Sequence, residues 1–311
     1  MNHYIWKGRK NFCDGHKPFR ILVAGGGTGV KTVQLATQLK DMNARKALVV
    51  HLDLSQHSIR VAKERAQRAG VERYIQFVQG SIENIKDLNL GQFDYIDCLG
   101  VLHHMKDPTV GLRELNAVLR EDGGMGLMFY AELGRTGVYH AQELLHMMKI
   151  NASNPTDVSL TRSFIGHSLP SSNWLRTDPW RWDEFNKSLA NSPDSQIVDL
   201  LLPYRDVAYR VDQVFDMMEQ SGLRVLQLLQ PAIYEPESYV RDPKILSRIP
   251  KDAKSRALFA ELMAGNIYHH FLYVGKKETQ TNGPVRSARA WSSRVGISLK
   301  SFHFFMFQLR D

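Results

Sequence analysis

Residues 21–29 read ILVAGGGTG, and VKTVQLATQLKD follows directly at 30–41. Glycine loses more conformational freedom on folding than any other residue, so four glycines in five positions call for a backbone reason. The chain there must turn left-handed or come close to something that a side chain would block. The run before the turn has the short apolar character of a buried strand. The run after it places its apolar residues at helical spacing.

The same alternation continues outward. ALVVHLD (47–53), YIQFVQG (74–80), FDYIDCLG (93–100) and GMGLMFYAE (124–132) read as further strands. Between them, SQHSIRVAKERAQRAG (55–70) is predicted helical, capped by Ser55 and stopped at Gly70. DPTVGLRELNAVLREDG (107–123) reads as a helix opened by Asp-Pro and closed at Gly123–Gly124. Strict strand–helix alternation with short apolar strands predicts a parallel sheet covered on both faces, a doubly wound α/β fold.

After Glu132 the alternation stops. TGVYHAQELLHMMKI (136–150) predicts a helix, and a polar stretch follows in which Trp174, Trp180 and Trp182 fall within nine residues. The α/β pattern resumes with VDQVFDMMEQSGL (211–223), RVLQLLQP (224–231) and YHHFLYVGKK (268–277). One domain over 20–277 is therefore expected, with a largely helical insertion at 133–205 acting as lid or pocket wall. Segment 1–19 is expected to fold over the bound ligand, and 278–311 to be a loosely ordered basic tail.

Composition narrows the function classes. The chain has 311 residues, 43% of them hydrophobic, and a net charge of +8. Seven Lys/Arg against two Asp/Glu lie from Lys276 to Asp311, so most of the charge belongs to the tail. No basic stripe interleaved with aromatics runs through the body, which disfavours nucleic acid as substrate. No stretch approaches eighteen consecutive apolar residues, so no membrane span is expected. Cys13 and Cys98 are far apart and carry no metal-ligand spacing, which suits a reducing, cytoplasmic setting and no metal site.

A glycine-rich turn between a first strand and its helix brings backbone N–H groups and a helix N-terminus up to a ligand. Dinucleotides and S-adenosylmethionine both use this position. The dinucleotide pattern G-x-G-x-x-G fails, since the third glycine would fall on Val30 or Thr32. G-x-G-x-G fits, at Gly25, Gly27 and Gly29. Asp53 ends the second strand, 24 residues after Gly29, where a carboxylate can accept both ribose hydroxyls. Capping of the next helix is the competing role for Asp53, and Ser55 competes for that role.

With these motifs in order, residues 20–132 resemble the class I S-adenosylmethionine-dependent methyltransferases. ILVAGGGTG resembles their first motif, LVVHLDLSQHSIRVAKERA the acidic second, FVQGSIENI the third and FDYIDCLGVLHHMKDP the fourth; LREDGGMGLMF resembles the turn and strand that follow. GVLHHMKDP is especially similar to the small-molecule methyltransferases. The insertion is similar to bacterial methyltransferase-domain proteins of poorly characterised substrate. The resemblance implies a Rossmann-like seven-stranded sheet, mostly parallel with an antiparallel last strand. It implies S-adenosylmethionine as methyl donor and S-adenosylhomocysteine as product. Two positions depart from the family: Ala24 stands where an acidic residue often precedes the first motif glycine, and Ser81 where an aspartate often meets the adenine.

On this reading Gly25, Gly27 and Gly29 lie at the methionine end of the cofactor and Asp53 on its ribose. Ser81 and Ile82 flank the adenine, and Gly100, Val101 and Leu102 line the methyl end. His104, His103 and Tyr130, just beyond or near the ends of strands four and five, are the candidates for acceptor contact or proton removal. Arg135, Tyr139, Gln142 and Trp174 are the candidate acceptor-binding residues. The expected activity is methyl transfer to a small molecule by in-line displacement, with a protein or peptide acceptor, or cofactor binding without catalysis, as the alternatives.

Overall fold

The computed structural model describes residues 1–10, 18–170, 172–175 and 193–277. Cys13, Trp180, Trp182 and the tail 278–311 lie outside the described residues.

Seven strands form one sheet in the order β3-β2-β1-β4-β5-β7-β6. β1 (Arg20–Ala24) lies between β2 (Leu48–Asp53) and β4 (Phe93–Leu99), parallel to both. β3 (Ile75–Gln79) extends the sheet beside β2, and β5 (Leu119–Tyr130) beside β4. β7 (His269–Lys276) runs antiparallel between β5 and β6 (Leu223–Leu228). The seven-stranded, mostly parallel sheet with an antiparallel last strand is as the resemblance implied. Strand order reverses between β1 and β4, the place where open α/β sheets receive ligands beyond their strand tips.

Both faces are covered because the parallel strands are apolar on both sides. One face buries Ile21, Val23, Val49 and Tyr95 under α2 (Val30–Asp41) and α3 (Gln56–Ala69), and Ile5 and Trp6 of α1 (Asn2–Trp6) join the same cluster. The other face buries Leu22, Val50, Ile96, Leu127 and Phe129 under α4 (Pro108–Val118) and the later α8 (Val211–Gln220). Local signals set the ends. Ser55 Oγ accepts the Ser58 N–H at 3.2 Å to start α3, and Gly70, left-handed at φ 61°, stops it. Asp107 Oδ1 accepts the Thr109 N–H at 2.8 Å, with Pro108 at the first helical position of α4.

α4 ends at Val118, five residues before the expected stop, and Leu119–Asp122 already belong to β5. LRED has good helical propensity, but Leu119 pairs with Phe93 and is fully buried, so sheet pairing outweighs local preference.

The insertion holds α5 (Thr136–Met147), α6 (Pro155–His167) and α7 (Asp194–Leu201) around a core of Val138, Ala141, Leu145, Val158, Ile165, Leu169, Ile197 and Leu201. That core is aliphatic, and Trp174 stands outside it at 64% exposure. α9 (Pro243–Leu246) and α10 (Ala253–Ala264) fill the connection from β6 to β7. Segment 1–10 lies on the sheet face, with the Trp6 indole N–H donating to the Asp122 carbonyl at 2.6 Å. No helix among the described residues is long and apolar enough to cross a membrane.

Candidate active site

The glycine turn sits at the tip of β1, where the strand order reverses. Gly25 has φ 69°, and a Cβ there would fall 2.5 Å from Val101 Cγ2. Gly29 has φ 86°, and its Cβ would fall 2.6 Å from Ala62 Cβ. At both positions left-handed backbone and close approach exclude a side chain. The first brings the turn against the β4 tip, and the second brings α2 against α3.

The neighbouring strand holds the turn in place. The Gly25 and Gly26 N–H groups both donate to the Leu52 carbonyl, at 2.8 and 3.0 Å. The Gly27 N–H donates to Asp53 Oδ2 at 2.7 Å, and Asp53 Oδ1 accepts the Ser55 N–H at 2.8 Å. Asp53 thus braces the turn as well as standing beside it, while Ser55 performs the capping. These N–H groups are consumed within the protein, so the ligand is left the first turn of α2, whose N–H groups have no acceptor in the helix. Beneath the turn, buried His51 meets Thr32 Oγ1 through Nδ1 at 2.8 Å.

The other candidate cofactor residues converge on the same edge. The Gly80 N–H donates to the Asp53 carbonyl at 3.0 Å, which ties the β3 tip, and so Ser81, to the acidic corner. Ser81 Oγ accepts the Glu83 N–H at 3.2 Å, capping the short 3-10 segment that follows. Ile82 is buried in the main core. Gly100, at φ 76°, turns the chain out of β4 so that Val101 rests against Gly25. Leu54, next to Asp53, is an exposed apolar side chain at this edge that the sequence reading passed over.

Beyond β4 and β5 the histidines take different environments. His103 is fully buried, with its ring stacked on Tyr130 at 3.8 Å and 27°. Neither of its ring nitrogens has a hydrogen-bond partner among the described residues. Burial, then the neighbouring His104 and Arg135, push its pKa down to about 3, so it is neutral at physiological pH and a poor base. His104 is half-buried, and its Nδ1 lies 2.7 Å from the Arg205 carbonyl. A carbonyl only accepts, so Nδ1 carries a proton, and in the neutral ring the lone pair lies on Nε2. Burial raises the Tyr130 hydroxyl to about 12, which keeps it protonated as a donor.

Arg135, Tyr139 and Gln142 are brought together around a residue the sequence did not single out. Arg135 Nη2 pairs with Asp206 Oδ2 at 2.9 Å, and both side chains are 1% exposed. The Tyr139 hydroxyl donates to Asp206 Oδ1 at 3.0 Å, and Gln142 Nε2 to Oδ2 at 3.3 Å. The Arg135 guanidinium also lies 3.6 Å from the Tyr130 ring centre and 4.9 Å from that of Tyr268. Asp206 follows Arg135 by 71 residues, and no local pattern marks the pair. Trp174 is not part of this cluster; it lies beside Gly137 at the start of α5.

Segment 205–209 roofs the tips of β4 and β5. The Val207 N–H donates to the His103 carbonyl at 3.2 Å, and the Tyr209 N–H to the Tyr130 carbonyl at 2.9 Å. Arg205 spans to the Met105 and Lys106 carbonyls at 3.1 and 3.2 Å. Among the described residues, no three His, Cys, Asp or Glu side chains converge as metal ligands.

A doubly wound sheet with a left-handed glycine turn at its reversal point and a carboxylate on the neighbouring strand tip defines a nucleoside-cofactor α/β domain. Residues 16–184 match the family model described as "Methyltransferase domain". The chain belongs to this family of S-adenosylmethionine-dependent methyltransferase domains.

An uncharacterised protein of Synechococcus sp. is 32% identical over 273 residues, 85% of this chain and 63% of that protein. The tRNA 5-carboxymethoxyuridine methyltransferase of Escherichia coli K12 is 33% identical over 116 residues, 37% of this chain and 42% of its own. The structure of PKMT2 from Rickettsia typhi in complex with AdoHcy superposes with a TM-score of 0.63 at 19% identity, covering 86% of this chain and 49% of that one. The chain thus spans 63% or less of each of these relatives.

Proposed function

We propose that the domain binds S-adenosylmethionine across the Gly25–Gly29 turn and transfers its methyl group to a small-molecule acceptor held beyond β4 and β5. The residues present suit such a cofactor. At Gly27 a Cβ would stand in open space, Asp53 offers carboxylate lone pairs to the ribose, and Ser81 and Ile82 stand by the adenine. The bound cofactor supplies an electrophilic methyl group on sulfur. The protein positions the acceptor in line with it, which removes much of the entropic barrier.

His104 serves as the proton acceptor for a hydroxyl or protonated-amine nucleophile. The Arg205 carbonyl fixes its tautomer so that Nε2 is the basic nitrogen. Tyr130, neutral at physiological pH, offers the acceptor side an uncharged hydroxyl, and the buried His103 ring stacks against it.

The observation that supports the small-molecule reading is segment 205–209, which is hydrogen-bonded across the tips of β4 and β5 through the Val207 N–H to the His103 carbonyl and the Tyr209 N–H to the Tyr130 carbonyl. A peptide acceptor is the second reading, favoured by the exposed Met147, Leu160, Trp174 and Tyr204 on and beside the insertion.

Calorimetric titration of S-adenosylmethionine and S-adenosylhomocysteine tests the cofactor half. One site per chain is expected, weakened by about 1–3 kcal/mol in Asp53→Ala through loss of a charged hydrogen-bonding group. No binding to the wild-type protein would sink the reading. A methyl-transfer screen of small metabolites against denatured cell protein then separates the two acceptor classes.

A further inference from the structure

One buried carboxylate has no role in the chemistry above. Asp97 of β4 is 2% exposed and sits where the strand order reverses, with Val23 of β1 and Gly126 of β5 as its register neighbours. It therefore stands one residue from Ala24, the position at which the family often carries an acid. The Tyr95 hydroxyl reaches over Gly126 to donate to Asp97 Oδ2 at 3.1 Å. Lys31, in the first turn of α2, places Nζ 4.0 Å from the same oxygen. The other ionisable groups facing this corner are Tyr273 of β7 and, beside Lys31, the α-amino group of Met1.

The distance is informative. The exposed Arg68–Glu64 pair also stands at 4.0 Å, but the other buried aspartates close on their partners, Asp94 at 2.8 Å to Arg120 and 3.0 Å to Lys10 and Asp206 at 2.9 Å to Arg135. Lys31 and Asp97 attract each other without touching, and hydrogen-bond distances end near 3.2 Å. A buried carboxylate and a separated ammonium, set by the glycine turn and the acceptor-free first turn of α2, complement a ligand that carries both charges.

We propose that Asp97 and Lys31 seat the amino-acid end of the sulfonium cofactor, Asp97 taking the α-ammonium and Lys31 the α-carboxylate. The inference rests on the cofactor reading above. It is selective: a dinucleotide phosphate would meet Lys31 but be repelled by Asp97, whereas a zwitterion satisfies both. Asp97 thereby supplies from β4 the acidic group that β1 lacks at Ala24.

The test compares S-adenosylhomocysteine with 5′-methylthioadenosine, which keeps the adenine, ribose and sulfur but has neither ammonium nor carboxylate. Dissociation constants are measured for the wild type, Asp97→Asn and Lys31→Gln. Asp97→Asn is expected to lose roughly 10- to 100-fold in affinity for S-adenosylhomocysteine, the range for a hydrogen bond to a charged group. Its affinity for methylthioadenosine should stay within about twofold. Lys31→Gln should show the same selectivity with a smaller loss. Because Lys31 is a partly exposed surface residue, that variant decides the matter if Asp97→Asn does not fold. Equal losses for both ligands would mean a merely structural role, and unchanged affinity for S-adenosylhomocysteine would mean no role; either overturns the proposal. A wild type that binds neither ligand sinks the cofactor reading and this inference with it.

Discussion

Removing the Asp206 carboxylate leaves the Arg135 guanidinium charged in a site that is 1% exposed. Water cannot rescue it, and breaking a buried pair from one side typically costs about 3–5 kcal/mol. Two features moderate the loss here. Arg135 keeps its stacking on Tyr130 at 3.6 Å, and Gln142 keeps the Leu200 carbonyl at 2.9 Å. Asp206→Leu is therefore expected at the lower end, about 3 kcal/mol, which with a denaturant slope of about 3 kcal/mol/M lowers the urea midpoint by about 1 M.

The double variant Arg135→Met with Asp206→Leu leaves no unpaired charge, so it should be less destabilised than Asp206→Leu alone. A coupling energy of about 2 kcal/mol or more is expected from the double-mutant cycle. Equilibrium urea unfolding of the four proteins reads all of this. Were Asp206→Leu to lie within about 1 kcal/mol of the wild type, or the two single losses simply to add, the buried-pair account would be refuted.

Gly29→Ala forces an L-residue into φ 86° and a methyl group 2.6 Å from Ala62 Cβ, and should cost about 2–3 kcal/mol in urea unfolding as well as weakening S-adenosylhomocysteine. Burial raises the Cys98 thiol well above its ordinary pKa, so in a Cys13→Ser background it should resist a thiol reagent in the native protein and react only on unfolding. Burial also pushes the Asp97 carboxyl from 3.8 up to about 6, so the folded state binds this proton more tightly than the unfolded chain. The stabilisation is full below pH 3.8 and is lost as pH rises through 6. Between pH 4 and pH 7 the wild type should fall relative to Asp97→Asn by about 2 kcal/mol, followed by urea unfolding of the ligand-free proteins at the two pH values.

Strand–helix alternation carried most of the architecture, because the parallel strands are apolar on both faces and Ser55 and Asp107 cap the helices that follow β2 and β4. The acidic corner was legible for a similar reason: Gly25–Gly29 and Asp53 lie at the tips of strands whose adjacency follows from the βαβ rule. Local pattern failed where a tertiary partner decides the outcome. Leu119–Asp122 read as helix until pairing with Phe93 made them strand. Arg135 looked like a free acceptor contact, yet its partner Asp206 comes from just past the far end of the insertion. The two adjacent histidines read alike, and only burial and the Arg205 carbonyl distinguish a neutral stacked ring from a usable base. Asp97 drew no notice because FDYIDCLG does not say which of its residues lie opposite Val23.

The raised pKa of Asp97 offers a way to see the cofactor's amino-acid end arrive without knowing the acceptor. At pH 6 a carboxyl with a pKa of about 6 is half protonated in the free protein. An α-ammonium placed beside it favours the ionised form, so binding must expel the remainder, about half a proton per site. Tyr95 and Tyr273 stay neutral at this pH, since burial raises both. The Met1 amine is lowered by burial and by Lys31, and a cofactor carboxylate approaching it would favour its charged form. The two contributions have opposite sign, and Asp97→Asn removes only the first. Titrating S-adenosylhomocysteine at pH 6 in buffers of different ionisation enthalpy should give net proton release for the wild type, and none or uptake for Asp97→Asn. The same proton count in both proteins would place the ammonium elsewhere, even if the cofactor binds well.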